Sequence, residues 1–161
     1  MKNTLIIYDS VFGNTAKIAR AMANALQEHL VVDLRIVGEV LPEHLDGIKT
    51  LIVGSPTRRF KATNALDQFL KQIPAGGLSG VQIAAFDTRL IPEEGKKNIF
   101  LALVVKLFGY ADKKISRQLV QLGGTEIIPS QGFMVNGIEG PLREGELEKA
   151  AAWAVKTIQN I

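Results

Sequence analysis

The chain has no cysteine. That removes disulfides, thiolate metal sites and cysteine nucleophiles in one step. Histidine occurs only as His29 and His44, too few and too isolated to indicate a metal cluster. Each reads as an exposed or hydrogen-bonded side chain. Charge of one sign is also scarce: 19 Lys and Arg against 16 Asp and Glu leave a net +3. The basic residues are spread along the chain, so nucleic acid is not expected as a partner. Long hydrophobic runs are missing too. Leu5-Ile6-Ile7 is too short for a signal peptide, and Ile99–Val105 is too short to cross a bilayer. The expectation is a soluble, cytoplasmic protein. Two nucleotide-binding loops are absent as well: no G-x-x-x-x-G-K-S/T occurs, and no G-x-G-x-x-G follows the first apolar run.

What is present fits one domain, 1–161, with a sizeable core: 161 residues, 47% hydrophobic and 22% charged. Leu5–Tyr8 reads as a buried strand that stops at Asp9-Ser10. From Asn14, apolar residues recur as Ile18, Met22, Leu26 and Leu30, one face of a helix. Val31–Val37 is a second strand, and Pro42 precedes a short helical turn. Leu51-Ile52-Val53 is a third strand, ending at Gly54-Ser55-Pro56-Thr57. Leu66, Phe69, Leu70 and Ile73 give helical spacing. Val81–Phe86 is a fourth strand that ends at Asp87-Thr88-Arg89. Ile115, Leu119 and Leu122 fit a helix closed by Gly123-Gly124. A fifth strand starts at Glu126 and resumes near Phe133. Leu147, Ala151, Ala154 and Ile158 mark the last helix, with Trp153 read as packing.

Strands alternating with helices imply an α/β fold: a doubly wound, five-stranded parallel sheet with helices on both faces. Such sheets bind ligands beyond the carboxyl ends of their strands, at the switch point. The loops after strands one, three and four are therefore the candidate site. The first is Ser10-Val11-Phe12-Gly13-Asn14-Thr15. It hands a strand over to a helix N-terminus, where free amides and the helix dipole suit a phosphate. Ser10 and Thr15 add hydroxyls, and Gly13 permits close backbone approach. No Lys or Arg lies between 9 and 15, which suggests neutral hydrogen bonding of a phosphomonoester. The same residues also read as a capped helix start with a turn glycine.

With these three loops in place, the chain resembles the flavodoxin family over essentially its whole length, in the short-chain form. The resemblance implies strand order 2-1-3-4-5 with FMN at the switch point. That family's phosphate loop has the form Ser/Thr-x-Thr-Gly-x-Thr. Ser10, Gly13 and Thr15 match it, Asn14 is common there, and Phe12 replaces a usual hydroxyl. By the same resemblance, Ser55, Pro56 and Thr57 lie along the flavin ring, and Asp87, Thr88 and Arg89 meet its pyrimidine edge. Phe60 fits either a ring-stacking role or a core position. Arg58, Arg59 and Lys61 fit a solvated edge or a basic rim facing an acidic or anionic partner. Asp87 and Arg89 equally suit a local ion pair.

Two further departures bear on redox chemistry. Residues 57–63 contain no glycine where the family commonly uses one for a peptide flip, so poor stabilisation of the one-electron-reduced neutral flavin is expected. Leu90 and Ile91 stand where a ring-covering Tyr or Trp is frequent. The stretch 99–108 reads either as a buried helix or as an exposed patch for a homodimer, a membrane surface or a quinone-like substrate. The functional expectation is an FMN-binding electron-transfer protein working with a redox partner protein or a small-molecule acceptor. An FMN-dependent reductase or oxidase of a quinone-like molecule is the second reading. An interaction module that has lost FMN is the third.

Overall fold

A computed structural model describes residues 3–91 and 99–159. Its centre is a parallel sheet in the order β2-β1-β3-β4-β5, with β6 also paired to β4. β1 (Asn3–Tyr8), β3 (Thr50–Pro56) and β4 (Gln82–Leu90) form the middle, and β2 (Val31–Ile36) is an edge. The continuous apolar runs follow from this: the middle strands are covered on both faces, so successive side chains are all buried. Leu5, Ile7, Leu51 and Val53 point to one layer, with Leu66, Leu70, Ile115 and Leu119 of α2 (Asn64–Gln72) and α4 (Ala111–Gln121). Ile6, Ile52 and Phe86 point to the other, with Ile18, Met22 and Leu26 of α1 (Asn14–Gln27) and Trp153 of α5 (Glu146–Gln159).

The structure differs from the sequence reading at the end of β4 and in the phase of α5, and agrees with it on an interrupted fifth strand and a short helical turn at Pro42. β4 does not stop at Phe86 but continues to Leu90, because β6 (Gln131–Val135) supplies a parallel ladder to Phe86–Leu90. Asp87-Thr88-Arg89 is therefore strand, not loop. The fifth position is filled by two segments, β5 (Thr125–Glu126) and β6. β2 and β3 are joined by short 3₁₀ turns, Val37–Glu39 and Pro42–Leu45. In α5 the buried face is Ala150, Trp153, Ala154 and Thr157, and Leu147 is exposed. The buried Glu146 sets this phase, since its carboxylate accepts from the Met134 amide at 2.9 Å.

The apolar stretch forms α3 (Ile99–Phe108). Leu103, Leu107 and Phe108 are exposed, and the side chains of 99–102 and 104, on which a buried helix start would rest, lie outside the described residues. No helix among the described residues is long and apolar enough to cross a membrane.

Candidate functional site

A cleft of about 910 Å³ opens beyond the carboxyl ends of β1, β3 and β4. Val11, Phe12, Asn14, Thr15, Pro56, Thr57, Arg58, Thr88 and Arg89 line it. Ser10, Gly13, Ser55, Phe60 and Asp87 lie outside that lining and act, where they act, through the loops they shape.

The first loop is shaped by Ser10. Its hydroxyl oxygen accepts from the amides of Gly13 (3.1 Å) and Ala16 (3.3 Å), and its own amide donates to the Asp9 carboxylate at 2.8 Å. Gly13, at φ 90°, is the N-cap of α1 and offers no side chain to the helix start. Among the described residues, the amides of Val11, Phe12, Asn14 and Thr15 have no protein acceptor. This is the donor set that an oxyanion needs, in a place where the helix dipole adds to it. Among the described residues the Ser10 hydroxyl proton has no acceptor.

Asn14 and Thr15 face inward. The Asn14 side chain donates to the Glu139 carbonyl at 3.0 Å, and a Cβ on Gly140 would come within 2.7 Å of the Asn14 amide oxygen. Asn14 thus pins the turn that brings Ile138 to the cleft. The Thr15 hydroxyl pairs with that of Thr88 at 2.7 Å, tying the first loop to β4. Phe12 is half exposed at the mouth, with the Arg58 guanidinium 5.9 Å from its ring centroid.

The second loop is braced from below. Buried Ser55 donates to the Pro56 carbonyl and accepts from the Thr63 amide, each at 3.0 Å. Thr57 gives its amide to the Thr88 carbonyl (2.8 Å) and its hydroxyl proton to Asp87 (2.6 Å), while accepting from the Ala111 amide (3.0 Å). Its hydroxyl is therefore engaged inside the protein. Phe60 points to α3, its ring centroid 6.3 Å from that of Phe108. Exposed Arg58, Arg59 and Lys61 stand on the cleft wall.

Behind the end of β4 lies a buried ionic cluster. Asp87 is fully buried and accepts from Arg89 (2.6 Å), Thr57 and the Asp112 amide (3.2 Å). Arg89 also stands 2.7 Å from an Asp112 oxygen, an ion-pair contact not aligned as a hydrogen bond. Its guanidinium sits 3.9 Å from the centroid of the Tyr110 ring. Burial pushes the Asp87 carboxyl up, against the opposing pull of Arg89. The ion-pair role is the one the geometry gives Asp87 and Arg89, and the Asp87 carboxylate has its partners behind the cleft.

Sequence reasoning missed Val135 and Ile138 as cleft residues. Ile138 is far from the first loop in sequence and is brought there by the Asn14–Glu139 contact, for which no local pattern exists.

The donor loop, the neutral cradle and the strand-end walls fit a phosphate-bearing planar ligand such as a flavin mononucleotide. A family model described as a flavodoxin domain matches residues 5–128. A flavodoxin from the domain Archaea superposes with a TM-score of 0.77 at 18% identity, covering 98% of this chain and 96% of that one. Flavodoxin 1 of Bacillus cereus gives 0.77 at 14% identity, covering 99% of both chains. A curated relative, an NAD(P)H dehydrogenase (quinone) of Archaeoglobus fulgidus, is 26% identical over 140 residues, spanning 68% of this chain and 73% of the relative. With a parallel sheet in the order 2-1-3-4-5 and a family match over most of its length, this chain belongs to the flavodoxin domain family of flavin-binding electron-transfer proteins.

Proposed function

We propose that this protein carries electrons on FMN held in the cleft above β1, β3 and β4. The observation that carries the reading is the set of acceptor-free amides at Val11, Phe12, Asn14 and Thr15, placed at the start of α1. They and the Ser10 hydroxyl would hold the phosphate. Pro56, Thr57, Thr88 and Arg89 would flank the ring, largely through backbone. When bound, FMN supplies one- and two-electron redox chemistry. The protein positions it, limits water and sets the electrostatic surroundings. Arg89 contributes little free positive charge, since Asp87 and Asp112 neutralise it.

Arg58, Arg59 and Lys61 favour an acidic partner protein or an anionic acceptor at the cleft mouth. A second reading is turnover of a quinone-like small molecule. Exposed Val11, Phe12, Leu90 and Ile138 give the cleft an apolar rim that suits such a ligand. The relative named as a quinone dehydrogenase supports the same reading. The exposed face of α3 is the surface through which a second copy would pack, and a cytoplasmic location accompanies the carrier role.

A visible absorbance spectrum tests the cofactor, taken before and after adding FMN and removing the excess. Retained flavin bands support the site. A folded sample that keeps no flavin refutes both redox readings and leaves the interaction module. Oxidation of NAD(P)H with a quinone acceptor then separates enzyme from carrier.

A further inference from the structure

The second loop closes as a two-residue turn. The Arg58 amide donates to the Lys61 carbonyl at 2.8 Å, and the Lys61 amide donates to the Arg58 carbonyl at 2.9 Å. Between them, Arg59 and Phe60 have φ of 47° and 66°. They are the non-glycine residues with positive φ among the described residues. Positive φ at both central positions marks a type I′ turn, for which Asn-Gly and similar pairs are the usual choice. Arg and Phe carry a Cβ that crowds the backbone in this region, and neither has the short polar side chain that eases it for Asn. A turn built from them must be held by contacts outside itself.

Two such contacts exist. The Phe60 ring packs on Phe108 at the end of α3. The Lys114 ammonium, on α4, donates to the Phe60 carbonyl at 2.7 Å. Lys114 is placed there at a cost: burial lowers its pKa, and so do the nearby Lys61 and Arg117. Among the described residues no carboxylate is paired with it, and its partner is that backbone carbonyl. With the Phe60 carbonyl turned to α4 and the next amide on Arg58, the peptide between Phe60 and Lys61 is fixed at both ends.

We propose that Lys114 is a positioning residue for the cleft, locking the strained Arg59-Phe60 turn so that Arg58, Arg59 and Lys61 are presented on the cleft wall. Lys114 is not among the residues that line the cleft. Its effect on flavin runs entirely through the turn, so the ligand arm of the test rests on the FMN reading, while the proteolysis arm does not.

The experiment compares Lys114→Met and Lys114→Arg in two backgrounds. One is the native turn, and the other carries Arg59→Asn with Phe60→Gly, a pair that adopts type I′ without strain. In cofactor-free full-length protein, trypsin cleavage after Arg58 and Lys61 reports opening of the turn. FMN affinity is read separately by quenching of flavin fluorescence. In the native turn, Lys114→Met is expected to speed cleavage and weaken FMN by about tenfold each, the effect of losing one charged hydrogen bond. Lys114→Arg, which keeps a donor, stays within about threefold of the parent. In the relaxed turn, Lys114→Met changes both by less than about threefold. Equal effects in the two backgrounds would overturn the proposal, because Lys114 would then act through charge or through α4 itself. Unchanged cleavage in the native turn would overturn it as well. If no variant binds FMN, the cofactor reading fails, and the cleavage pattern still decides the role of Lys114.

Discussion

Gly54 sits in β3 directly beside Phe86 of β4. A Cβ built there lies 2.0 Å from the Phe86 Cζ and 2.3 Å from both Cε atoms. Ordinary carbon contacts are about 3.5–4 Å, so for Gly54→Ala the ring must retreat by about 1.5–2 Å. It has nowhere to go. Phe86 is fully buried, with Phe133 and Trp153 edge-on at centroid distances of 6.1 and 6.4 Å. Overpacking a close-packed interior costs about 1–3 kcal/mol. A rigid backbone-borne methyl against an immobile ring belongs at the top of that range. At this chain length a loss of about 3 kcal/mol lowers the melting temperature by about 6–12 °C. Phe86→Leu should cost about 1–2 kcal/mol by itself through the cavity it leaves. The double variant should cost no more than Phe86→Leu alone, since the new methyl occupies that cavity. Urea unfolding of the four proteins measures the cycle. Additive losses would refute the steric account, as would a Gly54→Ala protein as stable as its parent.

Gly13→Ala meets no atom within 4 Å, so its expected loss of about 1–2 kcal/mol is backbone strain alone; thermal unfolding should also show a smaller loss for Gly13→Asn, and FMN titration a weaker site for the alanine variant. Thr57→Val removes a donor from buried Asp87 and an acceptor from the Ala111 amide, and should cost about 2–3 kcal/mol in urea unfolding, with Thr57→Ser largely restoring it. For Asp87 the folded-state pKa is raised, so the native protein takes up this proton at higher pH than the unfolded chain. Its contribution to stability is fully present below the unfolded pKa and is lost as pH rises through the folded one. Asp87→Asn removes that gain, so urea midpoints should fall more steeply for the variant than for the parent as pH drops from about 7 to about 4.5. Leu103→Asp, at a side chain 51% exposed, should leave the protein folded and change its sedimentation behaviour if α3 joins two copies; insoluble protein would contradict the exposed placement.

Much of this molecule was legible in its sequence because a parallel sheet writes itself in short apolar runs. Leu5–Tyr8, Leu51–Val53 and the Ile18-Met22-Leu26 stripe carry their own burial pattern, and the turn at Gly13 marks where a helix begins with free amides. Those features are local, and local periodicity is what a sequence displays directly. The sequence alone therefore determined the layer order of the fold and the position of the loop that opens α1. Tertiary structure decided what depended on partners far along the chain. β4 runs on through Asp87-Thr88-Arg89 because β3 pairs with Asp87 and Thr88 on one side and β6 with Phe86–Leu90 on the other. Asp87 and Thr57 spend their side-chain polar atoms on Arg89, on each other and on the start of α4, an arrangement set by partners far along the chain. Arg59 and Phe60 hold left-handed backbone that no propensity would assign them. Contacts from α3 and α4 supply what the local sequence lacks, and such contacts exist only once the chain has folded.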